Sequence, residues 1–347
     1  MPTWPAEWER HDATWLGWPH HRPDWPGKFE PIPWVYAEIV RVLHAHERVE
    51  ILCHSERVRE EANVGLRSHG VELDRCRLHL VPSDRVWLRD SGPTMVWRDE
   101  GSVEAVCWRF NAWAKYDNHK ADALIAPTVA RLAGLPAREA RRPDRNERLV
   151  LEGGAIDTNG QGILLTTEEC LLSKVQERNP GLDRGGYERA FRDYLGIHTT
   201  IWLGEGCVGD DTHGHVDDIA RFVDERTILL AFEADPADDN HERSIDNRRR
   251  LEDAARRIDG GFRIVELPYP RPVIMDGERL PASYANFYIA NGVVIVPTFN
   301  DRNDRIALDI IAECFPAREV VGIHAVDLVW GLGTLHCLTQ QQPSPRR

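Results

Sequence analysis

The feature of this sequence that most constrains its fold is a recurring order of short strands and single helices. Two or three β-like runs precede each helical pattern, which is unlike the one-strand, one-helix alternation of a doubly wound sheet. Apolar residues at helical spacing predict helices over 33–47, 56–70, 119–134, 186–195, 240–259 and 302–315. Because no linker rich in Gly, Ser or Pro divides the 347 residues, we predict one α/β domain over residues 1–347.

Composition and charge exclude several classes of protein. The net charge is −13, from 56 acidic and 43 basic residues, whereas a nucleic-acid-binding domain usually has a basic face. No stretch approaches the roughly 18 apolar residues of a membrane span, and the first residues do not resemble a secretory signal. The seven cysteines form no CxxC pair, so the sequence predicts a cytoplasmic protein with free thiols and no membrane or nucleic-acid partner.

Four stretches of the sequence place charged or nucleophilic residues beside turns, and two of them contain a possible nucleophile and a possible orienting carboxylate. In "GLGTLHCLTQ" (331–340), Cys337 follows a glycine-bearing turn; such a thiol is either an inert core residue or a nucleophile held as thiolate by a base or a positive field. In "LVLEGGAI" (149–156), Glu152 follows an apolar run. It is either a solvated residue at a strand end or a buried carboxylate that orients a histidine.

A third stretch, "VWLRDSGP" (86–93), has a basic and an acidic residue at the end of a β-like run. Arg89 and Asp90 either form a local ion pair that closes the turn, or Asp90 is a buried carboxylate for a cation. In the second interpretation, Trp87 offers an aromatic face to the same cation.

The fourth stretch, "THGHVDD" (212–218), permits two kinds of site. His-x-His-x-Asp resembles the start of the site in metallo-β-lactamase-type hydrolases, but that pattern continues with histidine where this chain has Asp218. Alternatively, if 213–217 is extended, His213, His215 and Asp217 point to one face. His215 and Asp217 then serve one site as a base and a substrate-binding carboxylate.

Six motifs in order resemble the agmatine deiminase family, a guanidino-modifying family with the Porphyromonas-type peptidylarginine deiminases among its relatives. They are "PAEWERHDATWLGWP", "WLRDSGP", "LEGG", "GHVDDIARF", "LPASYANFYIANGVVIVP" and "HCLTQQ", which span residue 5 to about residue 343. The resemblance implies a pentein fold, an α/β-propeller of five pseudo-symmetric ββαβ-type modules around a central active site. It also implies a hydrolase without metal or other cofactor that converts agmatine and water to N-carbamoylputrescine and ammonia, and it is compatible with a homodimer.

The resemblance assigns roles to five side chains. By its motifs, Cys337 is the nucleophile, His215 the general acid and base, and Glu152 the residue that orients His215, while Asp90 and Asp217 grip the guanidinium. A guanidinium is a planar fork of five donors, so two carboxylates can hold it and leave its carbon open to a thiolate.

The substrate's far end is less constrained by these motifs. The family usually has Asp or Asn at His213 and a Gly-Gly-Gly-Asn or Gly-Gly-Gly-Ser run where this chain has "GLGT", with Leu332 and Thr334. We expect Asp211 to bind the primary ammonium of agmatine. Free or peptidyl arginine as the substrate, an amidinotransferase, a guanidine-binding protein without catalysis and a metal-dependent hydrolase are the alternatives that the sequence leaves open.

Overall fold

In the computed structural model, which describes residues 1–346, short strands are grouped into five sheets and one small hairpin. The strands are β1 (His11–Gly17), β2 (Arg48–Cys53), β3 (Cys76–Leu80), β4 (Thr94–Trp97), β5 (Val103–Cys107), β6 (Ala137–Glu139), β7 (Asp157–Thr158), β8 (Ile163–Thr167), β9 (Thr199–Leu203), β10 (Ala220–Asp224), β11 (Thr227–Phe232), β12 (Arg263–Pro268), β13 (Ile274–Met275), β14 (Glu278–Arg279), β15 (Tyr288–Ala290), β16 (Val293–Thr298), β17 (Glu319–His324) and β18 (Thr339–Pro343). The α-helices are α1 (Ile32–Leu43), α2 (Glu56–Ser68), α3 (Leu88–Ser91), α4 (Ile125–Ala133), α5 (Glu168–Leu172), α6 (Arg184–Leu195), α7 (Asn240–Arg257), α8 (Asn303–Cys314) and α9 (Leu335–Leu338).

Four of the sheets repeat one pattern of connections. An antiparallel hairpin is followed by helix, and the chain returns as a third strand parallel to the hairpin's second strand. The sheets are β4-β5-β6, β7-β8-β9, β10-β11-β12 and β15-β16-β17. A parallel return needs such a crossover, and the helix buries its apolar face on the sheet that it crosses.

The fifth sheet joins the two ends of the chain. Strand β18 pairs antiparallel with β1, with Leu16 opposite Thr339 and Thr14 opposite Gln341. Strands β2 and β3 then add in parallel, through α1 and α2. The N-terminal and C-terminal segments therefore complete one module together.

First strands of different modules contact one another across sheet boundaries. Strand β7 contacts β10, and β4 contacts β18, although neither pair shares a sheet. Neighbouring modules therefore meet through these strands, and the five-module α/β arrangement that the family resemblance implies is confirmed.

The predicted elements agree with the structure where local pattern is strong. All six predicted helices are present with shifted ends; for example, 119–134 narrows to α4 after a 3-10 turn at Asp122–Leu124. The apolar run 287–297 is two strands, because Asn291-Gly292 turns the chain between β15 and β16. Within the described residues, no helix combines the length and apolar composition that a membrane crossing requires.

Candidate active site

A short helical turn precedes the first strand of four of the five modules, and these turns meet. They are α3, the 3-10 turns Gly153–Ala155 and Val216–Asp218, and α9, each followed within three residues by the first strand of its module. Helix α3 contacts both α9 and the 153–155 turn, which in turn contacts the 216–218 turn. The fold therefore brings together side chains that are far apart in sequence.

Three of the predicted residues converge on the α-carbon of Gly154. A β-carbon added to this glycine would lie 2.5 Å from Nδ1 of His215, 2.9 Å from Oδ1 of Asp90 and 3.1 Å from Oδ2 of Asp217. The backbone N–H of Gly154 also donates a hydrogen bond to Oδ1 of Asp90 (3.0 Å). Only a residue without a side chain leaves space for this cluster.

His215 lies between two carboxylates. Its Nδ1 is 3.8 Å from Oδ1 of Asp90, and its Nε2 is 3.8 Å from Oε2 of Glu152, which has no hydrogen-bond partner. Burial alone would lower the pKa of His215, but Asp90, Glu152 and the nearby Cys170 raise it well above its ordinary value. The free protein therefore holds an imidazolium beside the place where a substrate would bind.

The carboxylate of Glu152 is itself held by an arginine. Both side chains are fully buried, and Nε of Arg178 donates to Oε1 of Glu152 over 3.2 Å. Burial would raise the pKa of Glu152, but Arg178 and His215 hold it below its ordinary value. Glu152 is therefore an ionised partner for the imidazolium.

Burial has a different result at Asp90. Burial, together with the negative charges of Asp217 and Glu152, raises the pKa of Asp90 to about 6. The positive charge of His215 opposes this shift. Oδ2 of Asp90 accepts a hydrogen bond from the indole of Trp113 (2.9 Å). This carboxyl group therefore gains or loses a proton near neutral pH.

The thiol of Cys337 lies beside Asp217 and is held by an asparagine. Its sulfur is 3.8 Å from Oδ2 of Asp217 and accepts a hydrogen bond from Nδ2 of Asn286 (3.1 Å). The side-chain Oδ1 of Asn286 accepts hydrogen bonds from the hydroxyl of Thr334 (2.8 Å) and the backbone N–H of His336 (3.0 Å). Burial, together with Asp217 and the acidic residues near it, raises the pKa of the Cys337 thiol well above its usual range.

One cavity of about 450 Å³ reaches both the thiol and the acidic cluster. Leu280, Asp90, Trp113, Trp87 and Cys337 are among its most buried lining residues. More exposed residues line the rest, including Arg85, Tyr116, Glu278 and Trp330. A small molecule with a planar cationic head fits this distribution of charge and depth.

The structure brings together the five side chains that the family motifs select, namely Cys337, His215, Glu152, Asp90 and Asp217. Trp87 and Asp211 line the same cavity. The carboxylate of Asp211 pairs with Lys115 and accepts a hydrogen bond from Tyr116 (2.7 Å). An ammonium that binds Asp211 would therefore share it with a lysine.

The predicted extended conformation of 213–217 is wrong, although the side chains of His215 and Asp217 do lie close together beside Gly154. His213 has a left-handed backbone (φ 66°), and Asp217 lies in the 216–218 turn. The carboxylate of Asp210 accepts hydrogen bonds from the backbone N–H groups of Gly214 (2.8 Å) and His215 (2.9 Å). These bonds fold the segment into a turn instead of a strand.

The same turn separates the two histidines of the metal hypothesis. Nε2 of His213 lies 3.1 Å from the hydroxyl oxygen of Ser173, so His213 does not share a site with His215. A different set of donor atoms, from Glu152, Cys170 and His215, lies within 4.8 Å of one another. The guanidinium of Arg178 is already hydrogen-bonded to Glu152 there, and its charge would oppose that of a metal dication. The geometry therefore does not favour a His-x-His-x-Asp metal centre.

Sequence reasoning missed several residues that touch the site groups, among them Trp113, Arg178, Asn286 and His336, whose Nδ1 is 2.7 Å from Oδ2 of Asp217. Trp113 binds Asp90, Arg178 binds Glu152, and Asn286 binds Cys337. Asn286 lies inside the motif "LPASYANFYIANGVVIVP", which was available as a signal. Trp113 and Arg178 come from loops whose local patterns do not predict a contact with the site.

An arrangement of five α/β modules around a cysteine, a histidine and several carboxylates is that expected of the guanidino-modifying class. The sequence model of the Porphyromonas-type peptidyl-arginine deiminase family matches residues 3–343. This chain belongs to that family.

Individual relatives agree with this assignment over the full length. The chain is 35% identical to agmatine deiminase of Pseudomonas aeruginosa, over 99% of this chain and 96% of the relative. Its fold is similar to that of agmatine deiminase of Enterococcus faecalis (TM-score 0.88, 28% identity, 99% and 96% coverage). It is also similar to the proposed arginine deiminase of Porphyromonas gingivalis (TM-score 0.86, 33% identity, 99% and 98% coverage).

Proposed function

We propose that this protein is an agmatine deiminase, a hydrolase that acts on C–N bonds of linear amidines. Agmatine and water give N-carbamoylputrescine and ammonia. The observation on which the proposal rests is that one cavity reaches both Cys337 and Asp90, with Asp217 3.8 Å from the sulfur. The curated agmatine deiminases that resemble the chain along its whole length support the choice of substrate.

In the first step, the guanidinium of agmatine binds between Asp90 and Asp217. Oδ1 of Asp217 is buried without a hydrogen-bond partner, so it is available to an N–H of the substrate. Asp90 is oriented by Trp113 and by the backbone N–H of Gly154. Two carboxylates on the edges of the planar cation leave its central carbon facing the thiol.

The bound cation promotes ionisation of Cys337. In the free protein, the surrounding carboxylates disfavour a second negative charge on sulfur. A guanidinium between Asp90 and Asp217 offsets that negative field, so the thiol loses its proton to solvent and becomes the nucleophile. His215, which is already protonated, stabilises the thiolate.

His215 then transfers protons in both halves of the reaction. The thiolate forms a bond to the guanidinium carbon, and His215 gives its proton to the terminal nitrogen, which leaves as ammonia. The neutral imidazole takes a proton from water as the water attacks the S-linked amidino carbon. The C–S bond then breaks, which releases the ureido product and restores the thiolate.

The aliphatic chain of agmatine extends toward the less buried part of the cavity. We place its ammonium near Asp211, within an acidic group that also includes Asp24 and Glu278. One oxygen of Asp24 is buried without a partner, and burial raises the pKa of Asp24 to about 7 despite Arg85 beside it. A bound ammonium would favour ionisation of Asp24 and add to the affinity.

A substrate screen with one variant tests this function. Purified protein is assayed for ammonia release from agmatine, free arginine, peptidyl arginine and methylated arginines. We expect agmatine to be preferred, the Cys337→Ser variant to lose turnover by several orders of magnitude, and a chelator to leave the rate unchanged.

Other outcomes would replace the proposal. Preference for arginine would change the substrate, and transfer to an added amine would indicate an amidinotransferase. Activity that chelation removes and Cys337→Ser retains would restore the metal hypothesis. A homodimer stays a prediction, which light scattering of the purified protein would test.

A further inference from the structure

The imidazole of His336 lies between two buried carboxylates that are far apart in sequence. Its Nδ1 is 2.7 Å from Oδ2 of Asp217, and its Nε2 is 2.8 Å from Oε2 of Glu7. All three side chains are at most 6% exposed. Each ring nitrogen is therefore at hydrogen-bond distance from a carboxylate oxygen, an arrangement that an imidazolium, with an N–H on both nitrogens, satisfies.

Glu7 is fixed as a negative charge on one side of this ring. Its Oε1 accepts hydrogen bonds from Nη2 of Arg221 (2.9 Å) and from the backbone N–H of Ile289 (2.9 Å), and Nη2 of Arg89 lies 3.2 Å from its Oε2. Burial alone would raise the pKa of Glu7, but Arg221, His336 and Arg89 hold it well below its ordinary value. The N-terminal segment therefore supplies a permanent anion behind His336.

Asp217 is the partner on the other side of the ring, and its two oxygens have different environments. Oδ2 is held by His336, whereas Oδ1 is buried without a partner. Burial would raise the pKa of Asp217, but hydrogen bonding to His336 and its positive charge keep it below the ordinary value. Without that charge, Asp217 would lie beside Asp90 and Asp218 with too little compensation and would take up a proton.

We propose that Glu7 and His336 are positioning residues that keep Asp217 ionised and direct its free oxygen at the guanidinium of the substrate. The inference rests on the proposed function, because it concerns how that substrate is bound. Neither residue lines the cavity. Glu7 binds His336, and His336 binds Asp217, whose Oδ2 is 3.8 Å from the sulfur of Cys337, so both act through Asp217. This arrangement also gives a role to Glu7, which is linked to Asp217 through His336.

Other charged groups near this chain of contacts determine which pH range is informative. The groups on the substrate side of Asp217 are Asp90, His215, Asp218 and Cys337, and those around His336 and Glu7 are Arg89, Arg221 and, beyond Arg221, Asp157. The pKa of Asp90, about 6, lies in the same pH range, and the charge of Asp217 contributes to it. The effect of a variant must therefore be measured against its parent at the same pH.

The test measures agmatine binding in the Cys337→Ser parent, where no turnover interferes. His336→Asn keeps an N–H donor for Asp217 but removes the charge, and Glu7→Gln removes the anion that holds the imidazolium. We expect the calorimetric Kd of each variant to exceed that of the parent by about tenfold at about pH 6.5 and by much less at about pH 8.5. The dependence has this sign because an uncompensated Asp217 takes up a proton as pH falls and then no longer attracts a guanidinium.

Active enzyme gives a second readout. In the enzyme that keeps Cys337, the same substitutions should raise KM with the same pH dependence. They should leave kcat near the value of the unsubstituted enzyme, as expected for lost substrate binding. Glu9→Gln, two residues from Glu7, is the matched control and should equal the parent at both pH values. If His336→Asn does not fold, Glu7→Gln decides.

Two results would overturn the inference: a Kd that changes equally at both pH values, or a lower kcat at unchanged KM. Failure of the proposed function is distinguishable, because the parent would then bind no agmatine and the Cys337 enzyme would release no ammonia. An active parent with variants that match it would reject the positioning role alone.

Discussion

Asp90 is the substrate-binding carboxylate whose charge changes within the working pH range. Its pKa, raised by burial to about 6, lies well above that of an ordinary aspartate. The acid form does not attract a guanidinium, so we expect the KM for agmatine to rise as pH falls through about 6, approaching about tenfold per pH unit. Initial rates from about pH 8 to about pH 5 measure this; an unchanged KM over that range, with the protein still folded, would contradict it.

Addition of a single β-carbon at Gly154 is expected to lower the activity. The β-carbon of Gly154→Ala would press on His215, Asp90 and Asp217 at 2.5, 2.9 and 3.1 Å. Displacing such groups by about 1 Å costs about a hundredfold in rate. We therefore expect kcat/KM for agmatine to fall by about that factor.

A second glycine provides the control for this substitution. Gly185 lies in the first turn of α6, where an added β-carbon approaches nothing closer than the tip of Arg189 at 3.5 Å. Gly185→Ala should keep full activity and, if anything, raise thermal stability. Equal activity of the two variants would show that the cluster around Gly154 can relax.

At the scale of elements, the loop that presents Trp113 has a strained backbone. Ala112, Trp113 and Ala114 have φ values of 50°, 58° and 53°, in the left-handed region that costs an L-residue about 1–2 kcal/mol. Ala114 is exposed, so its methyl group contributes little packing. This strained backbone places the indole of Trp113 where it donates a hydrogen bond to Asp90, as is common for strain at functional sites.

Replacing a left-handed alanine by glycine should therefore stabilise the protein. We expect Ala114→Gly to increase the free energy of unfolding by about 0.5–1 kcal/mol, since glycine adopts positive φ without cost. Ala121→Gly, at a right-handed helical position (φ −73°), should decrease it by a similar amount. Chemical denaturation of both variants measures the difference, and the same sign for both would refute the role of strain.

How far the sequence predicts an element depends on where its stability comes from. The helices and the apolar strands β2, β11 and β16 follow from local periodicity, which records the face that each buries. Strand β18 has the sequence Thr-Gln-Gln-Gln-Pro and no apolar pattern, yet it is buried because β1 pairs with it and its glutamines bind neighbouring groups. Such a strand is determined by tertiary contacts that the local sequence does not contain.

The same distinction explains which site residues were found. Cys337, His215, Glu152, Asp90 and Asp217 lie in motifs that the family resemblance identifies, and the structure places them together. Trp113 and His336 contribute through contacts across the molecule, to Asp90 and to Asp217. No local spacing predicts such contacts, because they depend on how five modules meet.

At the scale of the whole molecule, the ring depends on the pairing of β1 with β18. A chain that ends at Leu338 keeps Cys337 but loses β18, all of whose residues are buried. The free energy lost with this pairing and burial should be a large part of the roughly 5–15 kcal/mol by which a folded domain is stable. We expect this truncated chain to show no cooperative thermal transition and no ammonia release from agmatine.

The control for this truncation removes only the residues after β18. A chain that ends at Ser344 keeps every pair between β1 and β18 and should melt close to the full-length protein. Near-native melting and activity of the chain that ends at Leu338 would show that the other four modules hold the ring without the closing strand.

The position of Cys337 beside the closing strand also orders events during translation. A nascent polypeptide emerges with its N-terminal part first, so Asp90, Glu152 and His215 leave the ribosome well before Cys337 does. Until β18 follows, one edge of β1 is open and no thiol stands opposite the acidic residues. Completion of the propeller and arrival of the Cys337 sulfur therefore coincide, and a chain without β18 both lacks its nucleophile's final setting and exposes a sheet edge to pairing with other chains.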